Sequence, residues 1–294
     1  MEAWIIYTFI AVIFWTIVEL IDKYVLDYEV KDPIIATIVC GVATFIVFQI
    51  AALRYGDFFG MSLKVIVIAI FAGILYNLST WFYYIGMQKE DMSTFIPLLS
   101  IAPLFVLPLG FIFFGERFTL STYSGIFLTI VGAILISYKK TRSKARLTSG
   151  LFFAIYIAII YAVRAVVLKY ITTLADIWAL MFWIAVGGII VSIIMYLSYR
   201  KKVQKTISKK GFSHLILSGI LTAFGFFAGF FAVAKGSVTL VTALFNIQPM
   251  FAFIAVITII KSYPKLIKER MSKHIMFKKF IAIVLMIIGT VLII

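Results

Sequence analysis

Charge is scarce in this sequence. Asp, Glu, Lys and Arg make up 13% of its 294 residues, against 64% hydrophobic, and the mean hydropathy is +1.13. Soluble domains carry about 25% charged residues, so a soluble fold is excluded and the bilayer has to act as the solvent. Cysteine occurs once, as Cys40 inside an apolar run, which rules out an intrachain disulfide and reads as a small packed residue. The two histidines, His214 and His274, fall in or beside basic stretches, and no His-Glu-x-x-His, Gly-x-Ser-x-Gly or Gly-rich phosphate loop occurs. Metal ligation, nucleophilic catalysis and nucleotide hydrolysis lack visible apparatus, so neither an enzyme nor a cofactor is expected. Acidic residues number 12 against 27 basic ones. The excess does not cover a soluble face, as nucleic-acid binding would require; most of it sits in residues 139–146, 200–210 and 261–279, where it reads as topology determinants beside anionic lipid headgroups. The start, Met-Glu-Ala-Trp, lacks a basic n-region, and the first apolar run is read as a retained helix.

What the chain has in abundance is long apolar runs, each enough to cross a hydrocarbon layer. They predict an all-α integral membrane protein with ten transmembrane helices, near 4–26, 33–53, 62–87, 92–114, 119–138, 149–171, 174–199, 213–234, 238–260 and 278–294. The basic stretch 139–148 divides the chain almost evenly. A shift of 146 residues brings Trp15 onto Tyr161, Lys23-Tyr24 onto Lys169-Tyr170, Gly73-Ile74-Leu75 onto Gly219-Ile220-Leu221, Lys89 onto Lys235, Pro103 onto Pro249 and Phe105 onto Phe251, without a gap. Beyond them Glu116-Arg117 meets Glu269-Arg270 after an insertion. Coincident Lys, Gly and Pro matches argue for duplication: a first five-helix repeat over 1–138, a linker over 139–148 and a second repeat over 149–294. Five crossings is an odd number, so the second copy enters the membrane in the opposite sense. Two inverted five-helix repeats are the geometry of a carrier that exposes one central site alternately to each side.

The segment Phe113-Phe114-Gly115-Glu116-Arg117-Phe118-Thr119-Leu120, followed by Gly125 and Gly132-Ala133-Ile134-Leu135-Ile136, resembles the end of the repeat in EamA-type members of the drug/metabolite transporter superfamily. Trp15 with Lys23 and the stretch from Ser93 to Pro103 resemble its beginning and middle. The resemblance implies an exporter or exchanger of small metabolites, such as amino acids, or drugs in the cell membrane, with a cavity lined by the first, third and fourth helices of each repeat. An exchanger of anionic metabolites of the sugar-phosphate or nucleotide-sugar type, and a receptor or scaffold that transports nothing, are the alternatives. The family usually keeps both termini inside, whereas the basic loops after helices 1, 3, 5, 7 and 9 put them outside by the positive-inside rule; sidedness stays open. The related small multidrug exporters carry a coupling glutamate eight residues before a lysine in their first helix. That position here is Trp15, and the carboxylate, Glu19, lies one turn later.

Ionisable groups within spans are the sharpest functional signal, because one near the bilayer centre costs roughly 2.5–3.5 kcal/mol on insertion scales. Glu19 and Arg164 stand out, each about 6 Å from the middle of its helix and about 12 Å apart along the normal. Glu19 reads as a proton- or cation-coupling carboxylate, or as a structural partner of Arg164 or Lys23. Arg164 reads as a receptor for a substrate carboxylate or phosphate, or as a counter-charge for Glu19. Lys23 and Lys169 are expected to snorkel. Asn77, Trp81 and Tyr84 form one helical stripe that could line a cavity. Ser100 near Pro103, and Asn246 with Gln248 beside Pro249, should face the bundle interior. Together with Trp15 and Tyr161, these are the candidate cavity residues. The expected partners are a small-molecule solute and membrane lipid, with the chain as monomer or homodimer.

Overall fold

The computed structural model describes residues 2–56, 60–90, 92–137, 149–206, 208–262 and 273–293. The predicted linker 139–148 and the Glu269–Arg270 pair lie outside them. The first helix, α1 (Ala3–Tyr28), has its polarity turned inside out. Ile6, Ile10, Ile13 and Ile17 form an exposed stripe, while Thr8, Thr16, Glu19, Asp22 and Lys23 are buried. In water such a helix would be misfolded; against lipid the stripe has its solvent and the polar face its partners.

Helices follow throughout, and no strand occurs among the described residues: α2 (Pro33–Tyr55), α3 (Leu63–Lys89), α4 (Met92–Leu99), α5 (Pro103–Phe114), α6 (Leu120–Ser137), α7 (Ser149–Thr172), α8 (Ile177–Thr206), α9 (Lys209–Lys235), α10 (Val238–Phe245), α11 (Gln248–Ser262) and α12 (Lys273–Ile293). Among the described residues, eight stretches are long and apolar enough to cross a membrane, with α4–α5 (Phe95–Phe114) and α10–α11 (Val238–Thr258) each counting as one. The protein is therefore an integral, multi-pass membrane protein. Two further apolar stretches, Leu120–Gly132 in α6 and Phe280–Ile293 in α12, are shorter.

The predicted helices 92–114 and 238–260 are not continuous. Pro103 and Pro249 have no N–H to donate to the carbonyls four residues back. The chain tightens instead: Ala102 N donates to Leu99 O at 3.1 Å, and Asn246 N and Ile247 N donate to Ala243 O and Leu244 O, each at 3.1 Å. The two breaks meet, since Asn246 Nδ2 donates to Ser100 O at 2.9 Å.

Close packing relies on glycine where backbones touch. A Cβ on Gly125 would lie 2.6 Å from Gly289 O, and one on Gly289 would lie 2.6 Å from Gly125 O, so α6 and α12 approach at a point with room for no side chain. α1 packs beside α9 and α3 beside α7; α3 packs beside α8 and α2 beside α9.

Both lysines that were expected to snorkel instead cap a neighbouring helix. Lys23 Nζ donates to Met87 O (3.1 Å) and Glu90 O (3.4 Å) at the end of α3, and pairs with Asp27 at 3.1 Å. Lys169 Nζ donates to Val233 O (2.9 Å), Ala234 O (3.4 Å) and Gly236 O (2.7 Å) at the end of α9. Positions 23, 87 and 90 become 169, 233 and 236 on adding 146. The last carbonyls of a helix have no partner within it and carry partial negative charge, so a cation there satisfies both. Lys169→Met, which keeps length and removes the donor, should destabilise the protein by about 1.5–3 kcal/mol, seen as a lower melting temperature in detergent. An unchanged melting temperature would refute the capping role.

The Gly-Glu-Arg turn does comparable work between α5 and α6. Gly115 takes φ 65°, the left-handed conformation that favours glycine. The turn aims Glu116 at the start of α10, where its carboxylate accepts from Val238 N (2.8 Å) and Thr239 N (3.2 Å). Gly110 leaves the space for it, since a Cβ there would lie 2.6 Å from Glu116 Oε2.

Candidate functional site

A cavity of about 210 Å³ opens among α1, α2, α3, α4, α7, α9, α10 and α11, beside the two helix breaks, with Cys40 of α2 on its lining. Of the sequence candidates, Trp15, Glu19, Tyr84, Ser100, Tyr161, Arg164, Asn246 and Gln248 line it.

Asn77 and Trp81 do not. Asn77 is fully buried against α8, donating to Gly188 O and Ser192 Oγ, both at 2.7 Å, and the Trp81 ring packs on Phe82 with centroids 5.3 Å apart. The face of α3 turned to the cavity carries Tyr76, Ser79, Thr80, Tyr83 and Tyr84 instead. Of the predicted stripe Tyr84 reaches the cavity, while Asn77 and Trp81 lie one residue, about 100° of helix, from Tyr76 and Thr80; Gly73 and Asn77 face α8.

Glu19 is 5% exposed. Its Oε1 accepts from Gln248 Nε2 at 2.6 Å, and its Oε2 has no hydrogen-bond partner. The bond joins α1 to α11 just past the second break. Asp22, one turn along, was passed over in the sequence, although it shares the face of Glu19. It is 2% exposed and lines the same cavity. Its Oδ1 accepts from Ser218 Oγ (2.6 Å) and Tyr84 OH (3.1 Å). The carboxylate nearer the helix end is thus held by hydroxyl donors, while Glu19 keeps one oxygen free. Lys23, directed to carbonyls and Asp27, is not the partner of Glu19.

Arg164 is 7% exposed and sits among aromatic faces. Its guanidinium carbon lies 5.0 Å from the ring centre of Tyr161 and 5.3 Å from those of Tyr76 and Phe226. Such contacts are worth roughly 0.5–2 kcal/mol each and hold the planar group in place, while its N–H groups make no hydrogen bond among the described residues. No described carboxylate pairs with it, so Arg164 and Glu19 are not each other's counter-charge. Trp15 stands edge-on to Phe226 (5.3 Å) and Phe245 (5.0 Å) and joins the aromatic wall. Thr222 Oγ1, also on the lining, has no hydrogen-bond partner. Tyr76, Thr222 and Phe226 were not singled out from sequence; Tyr76 lies one residue from the chosen stripe.

Residues 2–138 match the model of the EamA-like transporter family. A solved crystal structure superposes with a TM-score of 0.73 at 14% identity, over 98% of this chain and 95% of that one. At that identity the likeness concerns the fold alone, and it extends through the second half of the chain. No curated protein sequence matches.

Proposed function

We propose that the chain, whose residues 2–138 match the model of the EamA-like transporter family, is a membrane transporter that moves a small metabolite by alternating access between two inverted five-helix repeats, residues 1–138 and 149–294. On this reading α6 and α12 complete a set of ten crossings. The observation that carries it is the pairing of two broken helices at equivalent positions, Ser100 and Asn246, beside a cavity that holds buried charge. The two lysine caps, offset by the same 146 residues, and the matching neighbours of α1 with α9 and α3 with α7 support the duplication. A repeat folded in two orientations has two packings of nearly equal energy, and exchanging them opens the central site to either side.

Transport is secondary active, and Glu19 is the coupling group. Glu19 lines the cavity and its Oε2 has no hydrogen-bond partner; a proton gained there on one side and lost on the other ties the carboxyl state to the direction of opening. Vesicles reconstituted with the purified chain and loaded with a pH indicator should move protons when a mixture of amino acids is added outside, and an imposed proton gradient should drive labelled leucine or phenylalanine across. Fluxes equal to those of protein-free vesicles in both assays would remove this reading.

A further inference from the structure

On α1 the lining of the cavity runs from Trp15 to Asp22 and on α3 from Tyr76 to Tyr84, in both cases from the middle of the helix toward the end that Lys23 ties together. Among the described residues, none of α1 before Trp15 and none of α9 after Phe226 lines it. In that other direction the bundle is packed with apolar groups: Val12, Ala228, Ala232, Val233, Val241 and Leu244 belong to one buried cluster. The cluster accompanies α1 over the roughly 16 Å from Trp15 back to Trp4. There Trp4 packs on the elbow between α9 and α10, where a Cβ on Gly236 would lie 2.8 Å from Trp4 Cγ. The elbow thus stands beside the start of α1, at the closed end of the cavity.

Two charged side chains hold that elbow, and they differ in origin. Lys169 of α7 caps α9, so both partners lie in the second half of the chain. Glu116 comes from the turn between α5 and α6, in the first half, and accepts from Val238 N (2.8 Å) and Thr239 N (3.2 Å) at the start of α10. A shift of one half against the other keeps the first contact and breaks the second. Glu116 is half-buried, so water can take over its bonds when they part, whereas the alkyl groups beneath gain nothing from water. Its seat is cut to fit: a Cβ on Gly110 would lie 2.6 Å from Glu116 Oε2 and 2.5 Å from Thr239 Oγ1. We propose that Glu116 is the latch of a gate at this end of the cavity, a positioning residue that holds α10, and with it Thr242 and Phe245 of the lining, against the first half, and whose release opens the cavity from the elbow side. The inference rests on the reading of alternating access between the two halves.

The test is the rate of thiol labelling in the purified full-length protein in lipid nanodiscs, with 2-(trimethylammonium)ethyl methanethiosulfonate. Cys40, the one cysteine of the chain, lines the cavity about 10 Å from the start of α2, which begins where α1 ends, opposite the elbow. Thr242→Cys in a Cys40→Ser background reports from about 6 Å inside the elbow. Glu116→Gln, which keeps an acceptor oxygen and loses the charge, should raise labelling at position 242 by about tenfold and lower it at Cys40. Gly110→Ala, whose methyl group crowds Oε2 out of its seat, should do the same without touching the charge. Arg117→Gln, next in the turn, should change neither rate. Faster labelling at both positions would mean a loosened fold, and no rise at position 242 would mean that Glu116 holds no gate; either result overturns the inference. A rise at position 242 with Cys40 unchanged would uphold the latch and count against alternating access alone.

Discussion

Glu19→Gln should reduce proton-driven flux in reconstituted vesicles to the level of protein-free controls, even at saturating solute, while leaving the fold intact. The second half of that expectation follows from geometry. The replacement is isosteric, and its amide oxygen can accept the bond that Gln248 Nε2 now makes to Oε1 at 2.6 Å. Its amide nitrogen then takes the place of Oε2, which has no hydrogen-bond partner to lose. The melting temperature in detergent should therefore stay close to that of the parent. What disappears is the capacity to bind and release a proton at the point where α1 meets α11. Asp22→Asn is the comparison that assigns the effect. Its amide oxygen can still accept from Ser218 and Tyr84, so coupling should persist there. Equal loss of coupling in both variants would mean that the acidic pair acts as a unit, and full coupling in Glu19→Gln would remove Glu19 from the mechanism.

Much of the fold was legible in the sequence because bilayer physics is strict. Each crossing needs a long apolar run, and the longer runs appear as helices, most of them within a few residues of their expected bounds, although 92–114 and 238–260 are each broken in two and α8 runs on to Thr206. What a hydropathy pattern cannot register is a short break inside a long apolar run. Phe95–Phe114 and Val238–Thr258 each remain apolar enough to cross as one stretch, and only Pro103 and Pro249, read as missing donors, point to the breaks before them. The candidate site was legible wherever polarity is unusual for a span, as at Glu19, Arg164, Asn246 and Gln248. It was obscured on α3, which is polar or aromatic on two faces. Gly73 and Asn77 serve the contact with α8, Tyr76 and Thr80 the cavity, and choosing between them requires knowing where α8 lies. Asp22 escaped notice for a related reason. Close to a helix end, a carboxylate looks solvated, and only Tyr84 and Ser218, brought in from α3 and α9, show that it is not. The lysine caps were hidden likewise, since their partners are backbone carbonyls that carry no sequence signal.

The contact of α3 with α8 also yields the largest expected effect on stability. A Cβ on Gly73 would collide with the carbonyl of Ile184, with Gly188 N at 2.9 Å behind it, and Gly187 makes the reciprocal approach to the carbonyl of Ile70. These obstacles are backbone atoms of packed helices, which cannot turn aside as a side-chain end can. In a bilayer, where helix association depends on close packing rather than on escape from water, small residues at such a crossing provide much of the attraction. Gly73→Val must push the helices apart along the contact that also holds the Asn77 bonds to Gly188 and Ser192. Overpacking usually costs about 1–3 kcal/mol; with two bonds from a buried amide stretched as well, the cost here should exceed that range and leave little folded protein after detergent extraction. Gly41→Ala separates this from a general intolerance of added methyl groups. A Cβ at Gly41 would find its nearest neighbours, Asn77 Nδ2 and Ser192 Oγ, at 3.5 Å, an ordinary contact, so that variant should melt close to the parent temperature. Normal yield and melting for Gly73→Val would mean that α3 and α8 do not meet at this point, and the rotation of α3 that turns Tyr76 and Tyr83 into the cavity would lose its support.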